Sequence, residues 1–217
     1  MLLTKNNKMK LRIWLFFAIS YYTIFGLTSL ASGMLHDRIT IAFPFESKIP
    51  FYPAWSIVYL SINLLLLLAL FIFREWRPLA AFTITLLTET LIAGLCFIIL
   101  PIKLNYLPVT IDGNFSTVVY IAKFFSMNDN YFPSLHTAFA FTAAFSYSQY
   151  CSKIAKVGLY VWACAIPLSN LFIHEHQIAD LIAGFVLALI AHRYILPFSN
   201  QLIIRSSGQK LLEVEII

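Results

Sequence analysis

The chain has 217 residues, 60% of which are hydrophobic, with a mean hydropathy of +0.80 and a formal net charge of +5. Soluble domains are typically about 45–50% apolar, so this composition excludes an ordinary soluble domain and indicates an integral membrane protein. The positive charges are spread along the chain rather than clustered. This distribution argues against nucleic acid as a partner and for contact with a bilayer that contains anionic lipid.

Hydropathy predicts six membrane-spanning helices, because one helical crossing needs about 20 mostly apolar residues. The six apolar stretches are about 13–33, 55–73, 79–102, 134–150, 157–174 and 178–198. Together they use most of the chain and leave no room for a second domain. We therefore expect an all-α, six-helix membrane bundle that forms a single domain over residues 1–217.

The first apolar stretch follows the basic segment KNNKMKLR, which is also how a secretory signal begins. The apolar run from Ile13 is longer than the core of about 7–15 residues usual in such signals, so we interpret it as a retained first span. Lys and Arg near short loops favour the cytoplasm. With the N-terminus inside, the cytoplasmic group is Lys5, Lys8, Lys10, Arg12, Arg74, Arg77, Lys153, Lys156, Arg193, Arg205 and Lys210, and the outer group is Arg38, Lys48, Lys103 and Lys123. This eleven-to-four distribution predicts that both termini are cytoplasmic.

Two outer connections lead into the later spans. The connection from about 103 to 131 repeats apolar residues at helical spacing between Phe115 and Phe125, which predicts a short interfacial helix or a lid on the bundle. The last outer connection is very short and contains HEHQ. Both connections end at helix N-termini, which present free backbone N–H groups and favour an anion.

Glu89 lies near the middle of the third span. A charged residue at this depth is either functional, for example in binding a substrate hydroxyl, or hydrogen-bonded within the protein. The second interpretation predicts a bond to Thr85 or to another span.

His176 and Asp180 are four residues apart at the start of the sixth span. On a helix this spacing puts both side chains on one face, one turn apart. A hydrogen bond from the imidazole to the carboxylate would fix the tautomer and leave the other ring nitrogen free as a nucleophile. The same pair is also a common structural cap, so the spacing alone leaves both interpretations open.

His136 adds a third titratable group at the same membrane depth, from the start of the fourth span. Ser134 lies two residues before it and Pro133 begins the helix. Two histidines and a carboxylate around two helix N-termini suit phosphoryl transfer, with one histidine attacking phosphorus and the other protonating the leaving oxygen.

Two segments carry a resemblance to a known family. FPSLHTA resembles the P-S-x-H motif of the type 2 phosphatidic acid phosphatase and vanadium haloperoxidase superfamily, and SNLFIHEHQIAD resembles its S-R-x5-H-x3-D motif with every spacing kept. The run NDNYFPSLH, with an Asp-Asn pair before the first motif, looks most like the branch that contains inositol phosphorylceramide synthases.

The resemblance implies a role for each matching residue. His176 would form a phosphohistidine, Asp180 would orient it, and His136 would act as general acid and then as general base. Ser134 and neighbouring N–H groups would hold phosphate oxygens, and Ser169 and Asn170, which begin the second motif, would also bind the substrate. This chemistry implies neither a metal nor another cofactor.

The departures from the family pattern concern positive charge. Asn170 stands where the family has arginine, and the K-x6-R-P motif has no full match, because KLNYLP keeps Lys103 and Pro108 without the arginine. Lys103 is the best remaining cation for phosphate and Lys123 the second. Two missing guanidinium groups weaken binding of a dianionic monoester more than that of a singly charged phosphodiester.

The primary prediction is a membrane lipid phosphate phosphatase that hydrolyses an amphiphilic phosphate ester, without a metal, at the outer face. Transfer of a phosphoryl-alcohol head group between lipids is the alternative enzyme activity, and an inactive scaffold or a transporter is the alternative without catalysis. A metal site built from His136, His176 and Asp180, with His174 as a further ligand, is a separate possibility. Short loops favour a bacterial inner membrane and leave a eukaryotic secretory membrane open.

Overall fold

The computed structural model describes residues 4–127 and 130–206, and these residues are predominantly helical. The α-helices are α1 (Lys5–Gly33), α2 (Ser56–Leu60), α3 (Ile62–Leu67), α4 (Ala69–Ile72), α5 (Trp76–Ile99), α6 (Ser116–Ser126), α7 (Leu135–Tyr147), α8 (Lys153–Phe172), α9 (Ile178–Ile190) and α10 (Leu196–Ser206). In the described part of the chain, β-pairing is limited to an isolated bridge between Ile39 and Ile102. The predicted all-α fold class is confirmed.

Five helical segments are long and apolar enough to cross a membrane within the described ranges. They are Lys5–Gly33, Pro53–Ile72, Trp76–Ile99, Lys153–Phe172 and Ile178–Ser206. Their number indicates a multi-pass membrane protein, whereas the predicted count of six spans is not confirmed. The predicted span at 134–150 contains α7, whose 13 residues rise about 20 Å, less than the roughly 30 Å of a hydrocarbon core.

The second crossing is divided into α2, α3 and α4. The chain turns at Ser61, whose hydroxyl donates to Val58 O at 2.5 Å and accepts the indole N–H of Trp162 at 2.8 Å. A second turn follows at Leu68. The crossing therefore follows an irregular path beside α1 and α7.

The centre of the bundle is α7, which is buried along most of its length. Its small residues Ala138, Ala140, Ala143 and Ala144 are fully buried, and the helix packs against α3, α5, α8 and α9. Small side chains allow close approach of neighbouring helices in a membrane, where burial of apolar surface does not drive their association. A short helix surrounded in this way is positioned by its neighbours.

Gly184 sets the distance between α9 and the start of α7. A Cβ at this position would fall well under 3.0 Å from the backbone oxygen of Ser134, closer than real Cβ atoms approach. The backbone N–H of Ser134 also donates to the carbonyl of Asp180 at 3.0 Å. Glycine thus permits the contact that brings the two predicted motifs together.

Candidate active site

His176 and Asp180 lie together at the start of α9 and are almost completely buried. His176 Nδ1 lies 3.5 Å from Asp180 Oδ2, and the same carboxylate oxygen accepts the backbone N–H of Gln177 at 2.9 Å. His176 precedes the first helical residue, Ile178, so the two side chains meet because Asp180 folds back over the helix N-terminus. The Asp180 carboxylate caps the helix and also faces the imidazole. Both interpretations of the spacing, a structural cap and a partner for His176, therefore describe the same residue.

His136 reaches the same place from the first turn of α7. The ring centroids of His136 and His176 are 6.3 Å apart, with their planes at 57°. Both rings line a narrow cavity of about 10 Å³, together with Asn130, Tyr131 and Glu175 among others. The structure thus brings the three predicted catalytic residues together, and the roles assigned to them stay predictions.

Ser134 is the N-cap of α7. Its hydroxyl oxygen accepts the backbone N–H of Thr137 at 3.4 Å and the Thr137 hydroxyl at 3.2 Å. Ser134 is fully buried, and its backbone N–H bonds to α9 as described above. The geometry therefore gives Ser134 a definite role in fixing His136, whereas contact of its hydroxyl with phosphate stays a prediction.

Ser169 and Asn170 are fully buried at the end of α8. Their side chains both donate to the carbonyl of Ile166, at 2.6 and 3.1 Å. The backbone carbonyl of Asn170 accepts the N–H groups of Glu175 at 2.9 Å and His176 at 3.4 Å. The family's second motif thus shapes the loop that carries His176, and the Asn170 amide group donates into its own helix.

The two candidate cations differ in position. Lys123 Nζ donates to Glu175 Oε1 at 2.8 Å, beside the cavity, so the carboxylate compensates the charge of Lys123. Lys103 is exposed on the outer connection, and its backbone carbonyl accepts the side-chain N–H of Gln177 at 3.4 Å. Neither lysine presents an uncompensated charge between the two histidine rings.

Comparison with known protein families matches residues 105–203 to the model of the PAP2 superfamily. This range contains both motifs and all three candidate catalytic residues. This part of the chain, a little under half of it, is similar to the PAP2 superfamily. The match does not distinguish the inositol phosphorylceramide synthase branch, and Asp129 of the pair that suggested it lies outside the described residues. No curated protein sequence matches the chain.

Members of the PAP2 superfamily are phosphoesterases and phosphotransferases, and the pair of imidazoles on one cavity suits that chemistry. Across residues 4–127 and 130–206, no group of three or more His, Cys, Asp or Glu side chains is arranged to hold a metal ion. His174, the further ligand in the metal interpretation, bonds through Nε2 to Ile49 O at 2.9 Å. That contact directs the ring to the first outer connection.

Glu46 is a buried carboxylate that the sequence did not predict as part of the site. It is 1% exposed, its Oε1 accepts the N–H of Phe43 at 2.7 Å, and its Oε2 accepts the N–H of Ile178 at 2.8 Å. Asp180 accepts the N–H of Gln177 in the same way, so two backbone donors at the start of α9 are already bonded to carboxylates. The expectation that these two groups are free for an anion is therefore wrong.

Tyr106 supports the loop of His176 from outside. Its hydroxyl donates to the carbonyl of His176 at 2.8 Å, and its ring stacks on His174 with centroids 4.1 Å apart. Burial, together with the nearby Glu46 and Asp180 carboxylates, raises the pKa of Tyr106 above its usual value, so the hydroxyl remains a donor. This contact braces the backbone of the loop that carries His176.

Tyr59 covers the other side of His136 and was also missed. It is 1% exposed, and its ring stacks on the imidazole at 4.2 Å between centroids and 22° between planes. Tyr59 comes from the irregular second crossing, 77 positions before His136 in the chain. No spacing rule predicts a contact between elements so far apart in sequence.

Glu89 has a partner on another helix. Its Oε1 accepts the hydroxyl of Thr142 at 2.6 Å, and both residues are fully buried. The hydroxyl of Thr85 donates to the carbonyl of Ala81. The expectation of a hydrogen bond to another span is therefore met by α7, and Thr85 is not the partner.

Proposed function

We propose that this protein is a lipid phosphate phosphatase that hydrolyses an amphiphilic phosphate ester through a phosphohistidine at His176. The observation that carries the proposal is the placement of the buried His176 and the partly buried His136, with ring centroids 6.3 Å apart, across one narrow cavity. Binding of a tetrahedral phosphate has to widen this cavity, which then places the nucleophile on one side of phosphorus and the leaving oxygen on the other. The match to the PAP2 superfamily model supports phosphoester chemistry in general.

The first step is attack of His176 Nε2 on phosphorus. Nδ1 faces the Asp180 carboxylate at 3.5 Å, and this contact shortens to a hydrogen bond as positive charge develops on the ring. Catalytic hydrogen bonds are often long before substrate binds. The N–P bond forms, the bond from phosphorus to the ester oxygen breaks, and His136 gives its proton to that oxygen.

The second step returns the enzyme to its starting state. Neutral His136 takes a proton from water as the water oxygen attacks phosphorus, and the P–N bond to His176 breaks. Inorganic phosphate leaves, and His136 again carries the proton. The surroundings of His136 suit this role, because Tyr59 and the start of α7 hold its ring in one place.

Transfer of a phosphoryl-alcohol group to a lipid alcohol is the second candidate. The charges around the cavity favour it, since the Glu175 carboxylate compensates Lys123 and the Asn170 amide group donates to its own helix. A phosphodiester carries one negative charge and needs fewer cations than a dianionic monoester. The mechanism is the same, with the acceptor hydroxyl in place of water and a diester-linked His176 intermediate.

The site faces outward in this proposal. The distribution of Lys and Arg places the N-terminus inside, and α7 and α9 then begin at the outer surface. Substrate and product are membrane lipids, and the protein acts within the bilayer, in a bacterial inner membrane by the preferred interpretation. An inactive scaffold or a transporter is the remaining alternative, and the buried His–Asp pair disfavours it.

One substrate panel distinguishes these functions. The purified protein would be offered phosphatidic acid, an isoprenyl diphosphate and a phosphoinositol lipid, each with and without ceramide or diacylglycerol. Hydrolysis predicts release of inorganic phosphate, and transfer predicts a new lipid that depends on the acceptor. His176→Ala is expected to abolish either activity without loss of membrane expression. A scaffold would produce neither product, and full activity of the His176→Ala protein would refute the covalent mechanism.

A further inference from the structure

A largely apolar groove lies beside the candidate active site, between α1, the divided second crossing and α7. Its volume is about 220 Å³, and its walls include Trp14, Phe17 and Tyr21 from α1. The aromatic side chains are packed on one another, since Phe17 and Tyr21 stack with centroids 6.0 Å apart. Packed rings of this kind give the groove a defined shape.

The groove adjoins the catalytic cavity. Tyr59, Leu135 and His136 line both spaces. Tyr59 is stacked on His136, so its ring stands between the apolar groove and the cavity beside the two imidazoles. A molecule bound in the groove therefore lies next to the site, with this tyrosine at the boundary.

The groove runs away from the site along the helices that form its walls. On α1 it extends from Tyr22 to Trp14, and on the second crossing from Tyr59 to Leu67. Eight residues of helix correspond to about 12 Å. Both walls thus lead from the level of His136 toward the opposite side of the bundle, the direction that a lipid chain takes when its head group is at the surface.

We propose that this groove holds the hydrocarbon chain of the substrate while its phosphate lies between His136 and His176, with Tyr59 as the residue that aligns the two parts. This proposal rests on the phosphoester function proposed above. The chain leaves a bilayer that is as apolar as the groove, so the groove adds little affinity by burial. The groove instead selects among substrates, because the phosphate reaches the imidazoles only when the hydrocarbon chain fits between the aromatic walls.

Filling the groove at Ala18 tests this proposal. Ala18 lines the groove on α1, and Ala18→Trp would place an indole in the path of the chain. The matched control is Ile19→Trp, because Ile19 is the next residue on the same helix and is 60% exposed. Activity would be measured on a soluble phosphate ester without a chain, p-nitrophenyl phosphate, and on alkyl phosphates from ethyl to hexadecyl in mixed micelles.

The expected result is a loss that grows with chain length. Ala18→Trp should keep its activity on p-nitrophenyl phosphate within about twofold of wild type and lose at least tenfold in kcat/KM on hexadecyl phosphate, whereas Ile19→Trp should keep both. Equal activity of the two variants on every chain length would overturn the groove assignment. Absence of activity in the wild-type protein on all esters would instead overturn the proposed function.

A labelling experiment tests the groove independently of turnover. A hexadecyl phosphate with a diazirine near the chain end would be photolysed with wild-type and His176→Ala protein, and labelled peptides would be mapped. Labelling of α1 near Trp14 in both proteins, reduced by Ala18→Trp, supports the proposal. Labelling of the outer connections, or labelling unchanged in the Ala18→Trp variant, contradicts it.

Discussion

Replacement of Gly184 by alanine tests whether the approach of α9 to α7 assembles the site. The added Cβ would stand about half an ångström inside the 3.0 Å limit from the backbone oxygen of Ser134, and 3.0 Å from Thr137 Cβ. Neither neighbour is the end of a flexible side chain, so α9 must move by about 1 Å to reach an ordinary contact of 3.4 Å. Overpacking of this kind typically costs about 1–3 kcal/mol.

The same movement acts on the catalytic residues. Ser134 and Asp180 are joined by a 3.0 Å backbone hydrogen bond that crosses this contact, so a shift of α9 displaces Asp180 and His176 from His136. A misplacement of about 1 Å can reduce a rate about 100-fold. We expect kcat of Gly184→Ala to fall by between ten- and 100-fold, on chain-free and long-chain substrates alike.

The control is Gly158→Ala, on the exposed side of α8. A Cβ at Gly158 would have no atom within 4 Å, and alanine favours a helix over glycine by about 1 kcal/mol. Both variants would be purified in detergent, and kcat and the midpoint of thermal unfolding would be compared with wild type. Near-wild-type activity of Gly184→Ala, equal to that of the control, would refute the argument that this contact positions the site.

Three further predictions concern residues around the site. Glu46→Ala should lower the free energy of unfolding by about 1–3 kcal/mol for each buried N–H left without a partner, seen as a lower thermal midpoint, with Glu46→Gln intermediate. Glu89→Gln keeps an acceptor for Thr142 and should be near wild type, whereas Glu89→Leu should cost about 0.6–1.7 kcal/mol, measured as resistance to unfolding in detergent. Burial lowers the pKa of His174, so below pH of about 6.5 the unfolded chain binds more protons than the folded protein and stability falls as pH falls. The thermal midpoint of the wild-type protein should therefore drop more between pH 7.5 and 5.5 than that of His174→Gln, whose amide can still donate to Ile49 O, and parallel curves would contradict this assignment.

The parts of the site that the sequence predicted are those encoded by local spacing. The four-residue interval from His176 to Asp180 predicted that the pair meets at one helix start, and the parity of the crossings predicted His136 at the same end. The pair does meet there, but through the helix cap formed by Asp180, because His176 lies before the first helical residue. The short α6 was predicted in the same way, from apolar residues at helical spacing.

The parts that were missed depend on contacts between distant segments. Glu46 reaches α9 from a proline-containing connection, and Tyr59 reaches His136 from the second crossing. The predicted crossing at 134–150 is not confirmed, because α7 is as apolar as a membrane span but has only 13 residues. The roles inferred for Ser134 and Asn170 came from the family motif, and the structure adds a capping and a loop-shaping function for these residues.

Capture of the covalent intermediate tests the central proposal most directly. The protein would be mixed with a phosphate-labelled substrate, quenched in alkali within milliseconds to seconds, digested and mapped. The mechanism predicts a base-stable, acid-labile phosphoryl group on His176 in the wild-type protein. In His136→Ala, with a substrate whose leaving group needs no proton, the same phosphoryl group should form and persist for longer, because the base that activates water is missing. Turnover without label on His176, or a label on another residue, would contradict the mechanism.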